Sequence, residues 1–333
     1  MDMFTEMPSS NPMETLLDVS KVKRKYLDVA YASESEKQKL DIYLPETGDG
    51  PFPTVVYMHG GAFVGGNKRD NQMLYVADGI VRGYAVVSME QRLLPEGVFP
   101  LAVFDVKAAI RFLKANAAKY CLDPERFAIA GDSAGAYHAL FHAATQEIPA
   151  FEGPDAPINA DSRVKAAIGL FGVYDLAMQS QFSVDQGPMP GTKMVFNFAD
   201  MFAGGDTRTN KALGYLTDCK TYVTPAMPKV LIQTGDADQI VPYHASLELV
   251  DRINKVCGDG HAKLTVFPGA MHGAPEFLTP ENVDTIFAFL TRRCAESEEK
   301  DPMRFGAASG PQYLMVSFDR GIGEKRQPSY LPR

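Results

Sequence analysis

The chain has no tryptophan, four cysteines and only six histidines among its 333 residues. Cys121, Cys219, Cys257 and Cys294 are widely spread and include no CxxC pair. That spacing specifies neither a zinc knuckle nor a disulfide framework, and it reads as free thiols in a reducing compartment. Nothing approaches the run of about 18 apolar residues that a membrane-spanning helix needs. The opening residues, Met1-Asp2-Met3-Phe4-Thr5-Glu6, lack the basic region and apolar core of a secretory signal. A cytoplasmic protein with no membrane partner is the expectation. Basic charge is also short: 33 Lys and Arg face 41 Asp and Glu, a net charge of −8, which disfavours nucleic acid as a partner. The scarcity of histidine confines any imidazole chemistry to His59, His138, His142, His244, His261 and His272.

What is present is an alternation of strand-like and helix-like segments. Tyr26 to Ala32 and Gln38 to Leu44 read as the first two strands. Pro53 to Met58, Tyr84 to Met89, Arg126 to Ala130, Lys165 to Phe171, Met227 to Gln233 and Lys263 to Phe267 follow as short apolar runs. Ala134 to Thr145 and Glu281 to Arg293 read as helices. Such alternation predicts an α/β fold with a mostly parallel central sheet covered by helices on both faces. The expected organisation is an N-terminal arm over residues 1–20, one domain over 21–294 and a C-terminal extension over 295–333. In that extension Tyr313 to Phe318 reads as a tail packed on its own domain; contact with a second subunit, making a homodimer, is the alternative. The long stretch around 176–224 is expected to be a cap insertion over the site. Ser180 to Phe202 is its central part, and Met189, Met194 and Met201 are placed to line a pocket there.

Two glycine-rich motifs carry the chemistry. Gly131-Asp132-Ser133-Ala134-Gly135 lies between a strand-like and a helix-like run. Glycines on either side of a serine at such a junction permit a sharp turn that lifts the hydroxyl clear of the sheet. A serine so placed, at a helix N-terminus, suits nucleophilic acyl chemistry. The second motif, His59-Gly60-Gly61-Ala62-Phe63-Val64-Gly65-Gly66, directly follows the strand-like run ending at Met58. Backbone N–H groups of such a loop can converge on a developing oxyanion. A phosphate-binding loop is excluded because Asn67-Lys68-Arg69 follows where Gly-Lys-Ser/Thr would be needed, and no pair of its glycines has dinucleotide-loop spacing. His59 reads as a structural residue beneath the loop. His138 and His142 stand four apart but have neither an adjacent glutamate nor an evident third ligand, so no metal is expected.

Together the His59-Gly60-Gly61 and Gly131-to-Gly135 motifs resemble the α/β-hydrolase superfamily, in its carboxylesterase branch related to hormone-sensitive lipase. The intervening Glu90-Gln91-Arg92 stands where relatives often have Asn-Tyr-Arg, so that only the arginine matches. The resemblance runs from about Lys39 to about Leu290 and implies an α/β-hydrolase fold with the catalytic order Ser, acid, His. The family pattern of a glycine, two variable residues and the acid selects Asp238 in Gly235-Asp236-Ala237-Asp238, with Asp236 as the alternative, otherwise bonded to the loop backbone. By elimination His272 is the base, since no other histidine sits in a loop after the last strand-like run. The resemblance further implies that the N–H groups of Gly61, Ala62 and Ala134 form the oxyanion hole, with no cofactor. The subgroup it points to includes acetyl, feruloyl and acetyl-xylan esterases. Expected is a serine esterase acting on small-molecule, short-chain acyl esters. An arylformamidase, a peptidase or a non-catalytic ligand-binding relative are the alternatives.

Overall fold

The central strands of this chain follow its apolar, β-branched and aromatic runs, which are buried on both faces and so have few polar positions. The computed structural model describes residues 5–8, 15–154, 161–188 and 193–295. Strands β1 (Thr5–Pro8) and β2 (Thr15–Asp18) pair with each other, antiparallel. After them come β3 (Lys25–Ala30), β4 (Lys39–Tyr43), β5 (Phe52–Met58), the short helix α1 (Leu74–Ala77) and β6 (Ala85–Met89). Helix α2 (Leu101–Ala115), β7 (Leu122–Asp132), α3 (Ala134–Thr145) and β8 (Ala166–Leu170) bring the large sheet to six of its eight strands. Three helices follow, α4 (Leu176–Gln186), α5 (Phe198–Ala203) and α6 (Lys211–Thr217). The chain then returns through β9 (Lys229–Gly235), α7 (His244–Cys257), β10 (Ala262–Phe267) and α8 (Pro280–Ala295).

The large sheet has the strand order β10-β9-β8-β7-β5-β6-β4-β3. From β5 to β10 every pairing is parallel, and β4 runs antiparallel to both of its neighbours. The period of two along each strand sends alternate side chains into separate cores. Val56, in register with Val87 and Ile129, faces the core that includes Val106 of α2, Leu140 of α3 and Ile253 of α7. Val55, in register with Val86 and Ala128, faces the core beneath α1 and α8, with Tyr75, Phe287 and Leu290. The two-sided α/β sheet and the α/β-hydrolase class expected from the sequence are thus observed.

Two segments differ from a simple reading. The expected N-terminal arm is partly built into the domain: Leu17 and Val19 are buried in the second core, and the Leu17 N–H donates to the Arg69 carbonyl at 2.8 Å. The expected cap insertion is helical, and each of its helices starts where a side chain accepts an orphan backbone N–H. Asp175 caps α4, Asn197 caps α5 and Asn210 caps α6, each through the N–H three residues on. Residues 296–333, with Tyr313 to Phe318, lie outside the described residues, as does Met189. Among the described residues no helix is long and apolar enough to cross a membrane.

Candidate active site

All the chemistry-bearing loops leave the sheet at the C-terminal ends of parallel strands. The sharpest is the turn from β7 into α3. Ser133 sits there with φ 51° and ψ −120°, a conformation that costs a non-glycine residue on the order of 1–3 kcal/mol. The neighbouring glycines show what imposes it. A Cβ on Gly131 would lie 2.3 Å from the Gly135 carbonyl oxygen, and one on Gly135 would lie 2.1 Å from that of Met58. The helix start is therefore pressed against both its own strand and β5. The Ser133 N–H donates to the Leu170 carbonyl at the end of β8, at 2.9 Å.

Ser133 Oγ lies 3.0 Å from His272 Nε2, and His272 Nδ1 lies 2.7 Å from Asp238 Oδ2. A carboxylate at Nδ1 holds the proton on that nitrogen and leaves the Nε2 lone pair facing the hydroxyl. The Asp238 side chain is 1% exposed, whereas the imidazole is 16% exposed. Its other oxygen, Oδ1, accepts the N–H groups of Ile240 and Val241 at 2.8 and 2.9 Å, which fixes the carboxylate plane. Phe171, one residue past β8, meets the imidazole at 4.8 Å between ring centroids. Asp236 takes a different partner: its Oδ1 accepts the Gly269 N–H at 2.6 Å. It thus ties the acid loop to the loop that carries His272, rather than closing a turn within its own loop.

The loop after β5 turns back on itself, with the N–H groups of Val64 and Gly65 both donating to the Gly61 carbonyl at 3.0 Å. Gly61 has φ 107°, and a Cβ there would lie 2.2 Å from the Gly65 oxygen. Ala62 and Phe63 also have positive φ, 53° and 62°. Among the described residues, neither the Gly61 nor the Ala62 N–H enters a hydrogen bond. Ala134 opens α3, so its N–H has no partner within the helix. His59 is buried beneath the loop with Nδ1 2.7 Å from the Gly60 carbonyl oxygen.

Asp132 accepts a short hydrogen bond from the Tyr57 hydroxyl. Burial pushes its carboxyl up to about 7, although the Tyr57 hydroxyl opposes the shift. An aspartate titrates near 4 in an unfolded chain, so protonated Asp132 favours the folded state. That stability is complete below about pH 4 and is lost as the pH rises through about 7. Asp132→Asn, which cannot ionise, is expected to gain Tm on the wild type by roughly 5 °C between pH 4 and 8. Thermal melts across that range check this, and a Tm difference independent of pH would contradict it.

Several residues noted in the sequence have structural surroundings. Arg92 grips Asp105 of α2 with its guanidinium and its backbone N–H, at 2.7 and 2.8 Å, which sets the loop between β6 and α2. His138 and His142 are both buried, and burial lowers the pKa of each, that of His138 to about 3. His142 Nε2 lies 2.8 Å from the Ser162 carbonyl oxygen, and no metal-binding group of three or more ligands occurs among the described residues. Met194 and Met201 are exposed. Sequence reasoning missed Gln179 of α4, whose amide donates to the Ile240 carbonyl at 3.0 Å and so braces the acid loop. No periodicity or motif marks it.

A hydroxyl that can pass its proton to an imidazole, oriented by a buried carboxylate beside unpaired N–H donors, has the parts needed for acyl transfer. A model of the BD-FAE family matches residues 40–253, more than half of the chain. The chain is 29% identical over 232 residues to LipM of Mycobacterium tuberculosis, a probable carboxylic ester hydrolase, covering 69% of this chain and 52% of LipM. It is 27% identical over 292 residues to a probable isoprenylcysteine alpha-carbonyl methylesterase of Arabidopsis thaliana, covering 84% and 65%. The chain thus spans about half of LipM and under two-thirds of the plant protein. Among solved structures, a truncated carbohydrate esterase from gut microbiota superposes with a TM-score of 0.72 at 26% identity, over 82% of this chain and 96% of that one. A bifunctional GH43-CE protein of Bacteroides eggerthii gives 0.70 at 29% identity, over 81% of this chain and 35% of that one. By its sheet, its two glycine-rich turns and the family match across them, the chain belongs to the BD-FAE family, in the esterase branch of the α/β-hydrolases related to hormone-sensitive lipase.

Proposed function

We propose that this protein is a serine carboxylic-ester hydrolase that works through an acyl-enzyme on short-chain acyl esters, with acylated carbohydrate as the substrate class. The observation that carries the reading is the unbroken chain of contacts Ser133–His272–Asp238, at 3.0 and 2.7 Å. His272 Nε2 takes the Ser133 proton as Oγ attacks the ester carbonyl, forming the new C–O bond. Asp238 keeps the imidazole in the productive tautomer and stabilises its cation. The carbonyl electrons move onto the oxygen, which the N–H groups of Gly61, Ala62 and Ala134 stabilise; each such donor is worth on the order of 3 kcal/mol in other hydrolases. Collapse of the tetrahedral intermediate breaks the bond to the alcohol, which leaves with the proton from His272. Water, deprotonated by the same imidazole, then releases the acid from Ser133.

Carbohydrate as substrate class draws support from the structural relatives described as a carbohydrate esterase and a GH43-CE protein. Hydrolysis of p-nitrophenyl esters from acetyl to long-chain acyl groups tests the chemistry. Turnover is expected to peak between acetyl and butyryl, and acetylated or feruloylated xylo-oligosaccharides are expected to be deacylated. A preference for N-formylated aromatic amines over every ester would replace the esterase reading with an arylformamidase.

A further inference from the structure

The loop that presents the Ala62 N–H contains two consecutive non-glycine residues, Ala62 and Phe63, at left-handed φ. Each such residue costs on the order of 1–3 kcal/mol, so the conformation persists only where its surroundings enforce it. The enforcing contacts converge on Phe63. Its carbonyl accepts the Leu94 N–H at 2.8 Å. Its ring, 3% exposed, meets the edges of Tyr137 and His138 of α3 at 5.7 and 5.5 Å. The face of the ring is covered by Phe202 of α5, with centroids 4.0 Å apart and planes 11° from parallel. The strongest ring contact on the loop thus comes from the helical insert, not from the sheet.

Phe202 is itself held from several sides. It is fully buried, and its carbonyl accepts the Phe99 N–H at 2.8 Å. The carboxylate of Asp200, two residues earlier on the same helix, accepts four hydrogen bonds. They come from the Ser180 hydroxyl of α4 at 2.8 Å, the Asn197 amide at 2.7 Å, and the Thr207 N–H and hydroxyl at 2.9 and 2.7 Å. A helix pinned in this way cannot slide without breaking several of them.

We infer that Phe202 is a positioning residue for the reaction: acting through its stack on Phe63, it fixes the aim of the Ala62 N–H at the developing oxyanion. The inference rests on the serine-hydrolase reading above. It makes the insert a brace for transition-state binding and not a lid that opens and closes. A ring that merely fills the core would affect stability, and a brace affects the chemical step as well. Misplacing a reacting or stabilising group by about 1 Å can cost about a hundredfold in rate.

The test compares wild type, Phe202→Ala and Phe202→Leu on p-nitrophenyl acetate, with rates normalised to active sites titrated by a fluorophosphonate. An alkylboronic acid, which adds to the serine as a tetrahedral anion, reports transition-state binding, and the carboxylic acid product reports ground-state binding. The leucine variant retains apolar volume and keeps the test alive if the alanine variant fails to fold. The expected result for each folded variant is a fall in kcat of roughly tenfold to a hundredfold, KM within about twofold of wild type, a parallel loss of boronate affinity and unchanged product affinity. Wild-type kcat per titrated site in a folded Phe202→Leu, with only Tm reduced, would overturn the positioning role and leave the hydrolase reading standing. Absence of turnover in the wild type itself would overturn both.

Discussion

Ser133→Ala is expected to lower kcat on short-chain esters by at least about 10⁴-fold, while Tm stays near that of the wild type. The hydroxyl is the group that would become covalently bonded to the acyl carbon, and nothing else within hydrogen-bond reach of His272 Nε2 replaces it among the described residues. Its removal leaves the backbone hydrogen bond from Ser133 to Leu170 intact, and alanine is no worse than serine at φ 51°. The fold therefore has no reason to suffer. His272→Ala is expected to lose nearly as much, and the double variant little more than either single one, because hydroxyl and imidazole act as one unit. Steady-state kinetics on the three variants, alongside thermal melts, checks this. Losses that multiply in the double variant would show that the two side chains act independently.

Asp238→Asn is expected to cost about 10³- to 10⁴-fold in kcat, whereas Asp236→Asn costs about tenfold or less. The difference follows from what each carboxylate holds. Asparagine at 238 can still accept the Ile240 and Val241 N–H groups, but an amide NH₂ turned to His272 Nδ1 favours the wrong imidazole tautomer. The lone pair then faces Asn and the N–H faces the serine, which can no longer be deprotonated. At 236 the partner is a backbone N–H, that of Gly269, and the amide oxygen of asparagine accepts it as an aspartate oxygen does, only more weakly. Kinetics on both variants at one pH decides the matter, and the reverse ranking would transfer the orienting role to Asp236.

Much of the sheet is legible in the sequence because buried parallel strands are nearly uniform in apolar, β-branched residues. The boundaries are less so. β7, expected over Arg126 to Ala130, extends from Leu122 to Asp132. Its pairing with β5 jumps from Phe52–Leu122 to Thr54–Phe127, so the intervening Asp123, Pro124, Glu125 and Arg126 occupy an irregular stretch that no apolar run announces. Ser133, His272 and Asp238 are separated by 139 and 34 positions along the two contacts. No local pattern could pair them: the serine is marked by its glycine-flanked turn, the acid by the spacing in the resembling family, and the histidine by elimination. Beyond reach altogether were the docking of Leu17, the brace from Gln179 to the acid loop and the stack of Phe63 on Phe202. Each depends on where the insert and the N-terminal strands return in space, which the local alternation of residues does not encode.

The strand order has a consequence for how the molecule is made. β5, β6 and β7 form the middle of the sheet, and β8, β9 and β10 are then added one at a time, each to the edge left by its predecessor. A chain emerging from the ribosome N-terminus first can therefore extend the sheet in the order in which it is translated. Each new strand covers an edge that would otherwise invite pairing with another nascent chain. Ser133 is laid down directly after β7, but His272 follows β10 and is among the last sheet-linked residues to arrive. The growing chain thus carries the serine through 139 further residues before His272 is made, and the imidazole reaches it only when the sheet is complete.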